Sequence, residues 1–263
     1  TAAKAGVWGP YADYFAANVL GTRNVVAACR AENVPYLVHT STPSVVYTGR
    51  DIEGGNESMP LGTRFPCAYA ATKAIAEREA LAANEPGRLA VCALRPHLIF
   101  GRGDPHLLPR VIAAAKAGKL RVVGTGRNKV DVTHVRSAAL AHVLALDALA
   151  AGKAGGKAYF ISQGEPVLLW PWINDLLDSL RVPMIAKRIP APAAKLLGAA
   201  MELAWRTLPM QGEPPMTRFA ASELATSHWF DISAARNDLG YAPAVTTREG
   251  LDEFIRDWLR QER

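Results

Sequence analysis

Cysteines are scarce in this sequence, and they are spaced too widely to suggest a disulfide framework. Only three occur among 263 residues, Cys29, Cys67 and Cys92, and none belongs to a C-x-x-C pair. The six histidines contain no H-E-x-x-H spacing, so we expect no metal site. The cysteine spacing favours reduced thiols in a cytoplasmic protein.

A long uncharged apolar run is also missing. The longest apolar stretch, Ala191 to Leu208, is interrupted by Lys195, Glu202 and Arg206. A transmembrane helix needs about 20 mostly apolar residues, so the sequence predicts no membrane span. The stretch predicts an amphipathic helix, and three hypotheses stay open for it: it covers an apolar site, it contacts a membrane surface peripherally, or it is a plain packing helix.

Basic residues are scattered, and no run of five or more lysines and arginines occurs. Thirty Lys and Arg against 24 Asp and Glu give a formal charge of +6. Without a basic cluster, this excess indicates a mildly basic surface and no nucleic-acid partner, and it suits an anionic cofactor or substrate. With 49% apolar and 21% charged residues, the composition is typical of a globular protein and excludes a disordered chain.

Short apolar strands alternate with helices over residues 1–165, which predicts an α/β fold with a doubly wound, mostly parallel sheet. After Gln163 the sequence is rich in helix formers and proline, so we expect a smaller helix-rich lobe over residues 166–263. The predicted strands are 36–40, 89–94 and 157–161, the predicted helices are 11–31, 67–84, 107–117 and 137–150, and residues 48–66 are predicted to form a loop.

A tyrosine and a lysine on one helix face are the main candidates for chemistry. Tyr69 and Lys73 are four residues apart on a predicted helix, so their side chains are neighbours. A free tyrosine has a pKa of about 10. A nearby ammonium favours the phenolate and brings that pKa closer to the range useful for proton exchange. Thr42 follows a predicted strand, where ligands of such sheets bind. Asn18 lies inside a predicted helix at a modest cost in propensity, which indicates a further role.

This combination resembles the extended short-chain dehydrogenase/reductases. The resemblance is carried by the helix motif Tyr69-x-x-x-Lys73, the strand end Thr40-Ser41-Thr42 and the helix segment Asn18-Val-Leu-Gly-Thr22. The segment from Leu94 to Asp104 resembles the part of that group beside the nicotinamide. Asp131-Val-Thr-His134-Val135 resembles the 3β-hydroxysteroid dehydrogenase branch. The resemblance covers nearly the whole chain.

The resemblance implies an oxidoreductase that uses NAD or NADP and moves a hydride to or from a keto or hydroxyl group of a large apolar substrate, such as a β-keto acid (a 2-alkyl-3-oxoalkanoate) or a sterol. It assigns proton exchange with the substrate to Tyr69. Lys73 would lower the tyrosine pKa and bind the nicotinamide ribose, and Thr42 would polarise the substrate oxygen. Asn18 would support a water-linked proton path to the lysine. Further cofactor contacts are implied for Tyr69, Ala2, Ala3, Pro96, His97 and Ile99.

One expected feature of a dinucleotide-binding sheet is missing, because no G-x-G-x-x-G turn occurs. Under the resemblance, Thr1 follows the fourth strand, so we expect about 60 to 70 residues of the cofactor-binding half to precede it. We also expect this chain alone to bind the cofactor poorly and to expose apolar strand edges. Family analogy implies a homodimer. A nucleotide-sugar epimerase or dehydratase and a non-catalytic nucleotide-binding relative remain as alternatives.

Overall fold

The computed structural model describes residues 3–261, so the expected cofactor contact Ala2 lies outside the described residues. Within this range, each helix is too short or too polar to cross a membrane. The same residues contain no group of three or more metal-binding side chains arranged to hold an ion.

The first helices of the described part differ in type. The short helix α1 continues without a break into a π-helical segment, Phe15–Leu20, and then into α2. A 3-10 helix spans Pro43–Val45. The α-helices are α1 (Tyr11–Tyr14), α2 (Gly21–Ala31), α3 (Ala68–Ala82), α4 (Leu107–Lys116), α5 (Val135–Ala150), α6 (Leu169–Ser179), α7 (Ala191–Thr207), α8 (Arg218–Glu223), α9 (Ser233–Leu239) and α10 (Thr247–Gln261).

The strands are short, and most of them are two to five residues long. They are β1 (Tyr36–Thr40), β2 (Ile52–Gly55), β3 (Ala90–Pro96), β4 (Ile99–Phe100), β5 (Val122–Val123), β6 (Lys129–Val130), β7 (Thr133–His134), β8 (Ala158–Ile161), β9 (Val167–Leu168), β10 (Arg188–Ile189) and β11 (His228–Phe230). The three strands predicted from the sequence correspond to β1, β3 and β8.

A parallel sheet of order β1-β3-β8 forms the centre of the fold, with helices on both faces. Successive side chains of a strand point to opposite faces. Val91 of β3 accordingly packs with Val26 of α2 and Ala80 of α3, whereas its neighbour Cys92 packs in the cluster that contains Ala141 of α5. The predicted α/β architecture with a doubly wound parallel sheet is confirmed.

The predicted loop over residues 48–66 contains a strand that the sequence analysis missed. β2 pairs in parallel with β11, which also pairs with β6, and β9 completes this second sheet. Two of the four β2 residues are glycines, Gly54 and Gly55, and glycine is unfavourable in strands. The pairing joins residues from both sides of position 165, and the predicted division into 1–165 and 166–263 stays a prediction.

The contact between α7 and α8 depends on a glycine. A Cβ atom at Gly198 would lie 2.6 Å from the backbone carbon of Thr217 and 2.7 Å from the backbone nitrogen of Arg218. Backbone atoms cannot move aside as a flexible side chain can, so only glycine permits this approach. Gly198 therefore allows α8 to pack closely against α7, and α8 in turn forms part of the candidate site.

Gly198→Ala is expected to destabilise the protein by about 1–3 kcal/mol, because overpacking outweighs the better helix propensity of alanine. The matched control is Gly21→Ala, where the nearest atom to an added Cβ, the backbone oxygen of Ala16, is 3.9 Å away. This control should be neutral or slightly stabilising. Urea unfolding of both variants measures the difference. Equal midpoints would contradict the packing argument.

Candidate active site

The carboxyl ends of β1 and β3 meet the beginning of α3, and this junction holds the predicted residues. Thr42 follows β1 by two residues and caps the 3-10 helix, with its Oγ1 accepting a hydrogen bond from the backbone N–H of Ser44 at 3.3 Å. Tyr69 lies in the first turn of α3. Thr42 is buried, as are its neighbours Ser41 and Ser44. Three hydroxyl groups thus follow β1, and that of Thr42 is within hydrogen-bond reach of Tyr69.

Tyr69 is half-buried, and burial raises the pKa of its phenol above the usual value. A side-chain hydrogen bond with Thr42 lowers this pKa, and the negative charge of Glu223 raises it. We expected Lys73 to lower this pKa, but the net effect in the described chain is upward because burial is the largest cause. Because desolvation disfavours the charged phenolate, the phenol of Tyr69 stays protonated in the described chain.

Lys73 lies one helical turn beyond Tyr69 and is almost fully buried, with 4% of its surface exposed. Its Nζ donates a hydrogen bond to the backbone oxygen of Thr40 at 2.5 Å. Burial lowers the pKa of this ammonium to about 8, and the nearby Glu77 acts in the opposite direction. An ammonium group has three N–H donors, so two remain for a ligand after the bond to Thr40.

The carboxylate of Glu77 is engaged by another residue. Arg95 at the end of β3 donates to both of its oxygens, at 2.5 Å and 3.0 Å, and both side chains are buried. Such a bidentate pair fixes geometry as well as charge. This ion pair joins α3 to β3 one helical turn after Lys73. It therefore helps to set the position of the lysine relative to the sheet.

Asn18 lies in the π-helical segment, and such segments are frequent at functional sites. Its Oδ1 accepts a hydrogen bond from the backbone N–H of Lys4 at 2.8 Å, and its Nδ2 donates to the Lys4 backbone oxygen at 3.2 Å and to Thr72 Oγ1 at 3.1 Å. These contacts hold the segment around Lys4 against α3. The predicted proton path from Asn18 to the lysine stays a prediction.

A cleft of about 270 Å³ lies along β1 beside Lys73, and the predicted residues Ala3 and Asn18 line it. His39 also lines it, with an Nε2 atom that has no hydrogen-bond partner in the described chain, and burial lowers the pKa of this imidazole to about 3. A nicotinamide ribose needs hydrogen-bond donors for its hydroxyl oxygens. The free donors of Lys73 and the open wall at Ala3 fit such a group.

The remaining predicted cofactor contacts follow the end of the central strand β3. Pro96 ends β3 and is buried, His97 is buried, and Ile99 begins β4 with 40% exposure. Between them, Leu98 has a φ of +40°, which is rare for a residue with a bulky side chain. This left-handed residue turns the chain sharply from β3 into β4. Pro96 and Ile99 thus lie on either side of this turn, and their predicted contacts with the cofactor stay a prediction.

His97 belongs to a buried hydrogen-bond chain that the sequence does not reveal. Its Nε2 lies 2.6 Å from Nδ1 of His228, and Nε2 of His228 lies 2.9 Å from the backbone oxygen of Glu223. A carbonyl oxygen only accepts, so His228 carries its proton on Nε2 and accepts from His97 at Nδ1. Burial lowers the pKa of both imidazoles, which keeps this chain uncharged.

An apolar cavity of about 420 Å³ lies next to His228 of this hydrogen-bond chain. Its wall consists mainly of aliphatic and aromatic side chains from α4, α6 and α8. Glu223 is the acidic residue of this wall, and its other titratable or charged residues are His106, Arg110 and His228. The lining residues are Leu98, His106, Leu107, Leu108, Arg110, Val111, Leu169, Trp172, Ile173, Ala220, Glu223, Leu224 and His228.

Apolar and aromatic residues that could line a substrate site lie in three different places. Trp172 lines the apolar cavity, and Trp205 lines a second cleft beside α1. Leu196 and Leu203 of α7 are 73% and 63% exposed. Glu223 and His228 were not predicted: His228 bonds to His97, 131 residues away, and Glu223 belongs to no motif. A weak signal was available: Glu223 is the one acidic residue between Phe219 and His228.

Solved structures share this arrangement of strands and helices. MoeE5 in complex with UDP-glucose and NAD matches with a TM-score of 0.70 and 25% identity, over 100% of this chain and 79% of that chain. The crystal structure of gox2253 matches with a TM-score of 0.76 and 23% identity, over 100% of this chain and 77% of that chain. The fold is therefore of the Rossmann type, and the family match described next makes the protein an NAD(P)-dependent oxidoreductase.

The particular family follows from the sequence comparisons. The 3-beta hydroxysteroid dehydrogenase/isomerase family model matches residues 1–189. The chain is 51% identical over 252 residues to a 2-alkyl-3-oxoalkanoate reductase of Stenotrophomonas maltophilia, covering 95% of this chain and 76% of that protein. It is 32% identical over 250 residues to the human sterol-4-alpha-carboxylate 3-dehydrogenase, decarboxylating. That match covers 93% of this chain and 67% of the human protein. The chain belongs to the 3-beta hydroxysteroid dehydrogenase/isomerase family.

Proposed function

We propose that the protein reduces the ketone of a long-chain 2-alkyl-3-oxoalkanoate to the hydroxyl, or oxidises that hydroxyl in the reverse direction. The observation that carries this proposal is the apolar cavity, whose wall includes Glu223 of α8, a residue whose charge acts on the pKa of Tyr69. Ser222 of α8 accepts a hydrogen bond from Tyr47 at 3.1 Å, and Tyr47 follows the 3-10 helix that Thr42 caps. The identity to the bacterial reductase supports the same substrate class.

The proposed chemistry divides between the cofactor and the side chains. NAD or NADP, when bound, supplies the hydride for reduction or accepts it in oxidation. Tyr69 donates its hydroxyl proton to the ketone oxygen, and Thr42 donates a second hydrogen bond to the same oxygen. Lys73 uses its free N–H donors on the ribose hydroxyls and stabilises the phenolate left behind on Tyr69. Asn18 holds the Lys4 segment against α3 and supports the proton supply to the lysine.

The cofactor segment has further proposed contacts at Ala3, Pro96, His97 and Ile99. Ala3 and Lys73 line one cleft, whereas the turn at Leu98 brings Ile99 alongside β7. These positions bracket the carboxyl ends of the central strands, where a nicotinamide ring binds in this fold. Backbone groups at Pro96 and His97 would therefore contact the nicotinamide ring of a bound cofactor.

The substrate class is tested by narrowing the apolar cavity. Val111→Trp is expected to lower kcat/KM at least tenfold for a 2-alkyl-3-oxo acid with long chains, because displacing about two methylene groups from the cavity costs about 1.6 kcal/mol. A short-chain β-keto acid should lose less than about twofold, or about 0.4 kcal/mol, because its chain does not reach the narrowed part of the cavity. The matched control is Val143→Trp, because Val143 is 57% exposed on α5.

The alternative activity on nucleotide sugars makes the opposite prediction in the same assay. An epimerase or dehydratase needs polar contacts for a charged diphosphate, whereas the cavity wall offers mainly aliphatic and aromatic groups. Turnover of UDP-sugars with no turnover of long-chain β-keto acids would contradict the proposed function. Equal losses for long and short chains in Val111→Trp would contradict the assignment of the cavity to the alkyl chains.

Assembly and location are part of the proposal. A homodimer through the first helices is supported by Leu20 and Val25, which are 41% and 49% exposed. Peripheral membrane contact through α7 is supported by exposed leucines on that helix, and a cytoplasmic location by free thiols at each of the three cysteines. Sedimentation of the protein alone and with lipid vesicles tests the first two, and cell fractionation tests the third.

A further inference from the structure

Glu223 occupies a rigid position at the end of α8. Its backbone oxygen accepts the hydrogen bond from His228, which is anchored in turn by His97. The preceding residue, Ser222, bonds to Tyr47, which also lies 2.8 Å from Thr226 Oγ1. Hydrogen bonds thus hold the chain on both sides of Glu223. Such a supported backbone is what a binding residue requires.

The carboxyl group of Glu223 has no hydrogen bond or ion pair within residues 3–261, although it lines the apolar cavity. The one nearby cation in the cavity wall, Arg110, is largely exposed and lies 3.3 Å from Glu213. An ionised carboxylate among apolar groups is costly unless a partner satisfies it. A residue that retains this cost at the wall of a cavity is a candidate for contact with a ligand.

The charge of Glu223 acts on the pKa of Tyr69. Burial raises the pKa of Glu223 to about 7, so its neutral form is populated near neutrality. When ionised, it raises the pKa of Tyr69 and of Tyr47. Glu223 therefore lies within electrostatic reach of the group that we assign to proton transfer, on the side of the apolar cavity.

We propose that Glu223, in its protonated form, donates a hydrogen bond to the carboxylate of the substrate while Tyr69 and Thr42 hold the oxygen at position 3. This assignment rests on the proposed function, because a β-keto acid carries its second polar group two carbons from the ketone. An O–H donor to a carboxylate is among the strong hydrogen bonds of proteins. Ionised Glu223 would instead repel the substrate carboxylate.

The predicted consequence is a substrate-dependent pH effect. As the pH rises through about 7, Glu223 loses its proton and binding of a carboxylate substrate weakens, whereas a neutral ester is unaffected by this charge. Other titratable and charged groups face Glu223 from neighbouring elements, and their ionisation is expected to change KM for the acid and for the ester alike. They are Tyr47, Cys67, Tyr69, His106, Arg110 and His228.

The experiment compares a 2-alkyl-3-hydroxy acid with its methyl ester in the oxidation direction, because β-keto acids lose carbon dioxide spontaneously. In the wild type, the ratio of KM for the acid to KM for the ester is expected to rise about tenfold between about pH 6 and pH 8, as the protonated fraction falls from about nine-tenths to one-tenth. Using the ratio cancels the ionisation of Lys73 and Tyr69, which both substrates share.

Glu223→Gln should make this ratio independent of pH, because the amide keeps a donor and does not ionise. Glu223→Ala should raise KM for the acid about tenfold at low pH and leave KM for the ester nearly unchanged. The matched control is Glu53→Gln at an exposed position of β2, which should titrate like the wild type. Thermal melts confirm that each variant is folded.

Three results would overturn the assignment. The first is a wild-type ratio that does not change with pH. The second is a ratio that titrates equally in Glu223→Gln. The third is a loss of the acid preference in Arg110→Gln while Glu223→Gln keeps it, which would place the carboxylate at the arginine. Turnover of the ester in these cases leaves the proposed function standing, whereas no turnover of either substrate overturns both proposals.

Discussion

Replacing Tyr69 with phenylalanine is expected to lower kcat by about 10²- to 10⁴-fold, the usual contribution of a positioned proton donor. The variant loses only the hydroxyl, so the packing of α3 should be preserved. Without this proton donor, the oxygen at position 3 must develop negative charge in a half-buried site. KM for the cofactor should change little, because Lys73 and the wall at Ala3 are untouched.

The matched control for this variant is Tyr36→Phe. Tyr36 begins β1 and therefore lies at the opposite end of the sheet from Thr40 and the site. Steady-state kinetics with the long-chain substrate should show wild-type kcat for Tyr36→Phe. Retention of more than about half of the activity by Tyr69→Phe would contradict the assigned proton transfer.

The second large effect is expected at the buried ion pair beneath the site. Arg95→Met is expected to reduce the free energy of unfolding by about 3–5 kcal/mol, because it leaves the Glu77 carboxylate buried without its partner. Their side chains are 5% and 0% exposed. The double variant Glu77→Met with Arg95→Met should recover much of the loss, since well-packed apolar groups often replace a buried pair at little cost.

A surface pair of similar geometry provides the comparison. Arg23 donates to both oxygens of Glu79 at 2.7 Å and 2.6 Å, but both side chains are substantially exposed. Arg23→Met should therefore leave the free energy of unfolding almost unchanged. Urea denaturation of the four proteins measures these differences. A loss in Arg95→Met no larger than that in Arg23→Met would contradict the role of the buried pair in fixing α3 to β3.

The central strands and the helix of the reacting pair were predictable because their signals are local. β1 is a run of strand-forming residues that ends in Thr40, and α3 follows a loop rich in glycine and proline. Tyr69 and Lys73 share a helix face by their spacing alone. The position of Thr42 beside Tyr69 followed from the general geometry of parallel sheets, in which the strand ends form the ligand site.

The rest of the site depends on contacts between distant parts of the chain. His97 and His228 are separated by 131 residues, and no local pattern indicates their hydrogen bond. β11 is only three residues long and pairs with β2, which contains two glycines, so neither strand has a periodic signal. The raised pKa of Tyr69 was also beyond sequence reasoning, because burial is a property of the folded chain.

The most direct test of the proposed reaction follows the hydride itself. The protein is incubated with a 2-alkyl-3-oxoalkanoate and reduced cofactor that carries deuterium at the transferable position, and the product is analysed by mass spectrometry. We predict a 3-hydroxy acid with one deuterium on the carbon that bears the hydroxyl group, and almost none formed by Tyr69→Phe. A product without deuterium, or labelled product formed equally by Tyr69→Phe, would contradict this account.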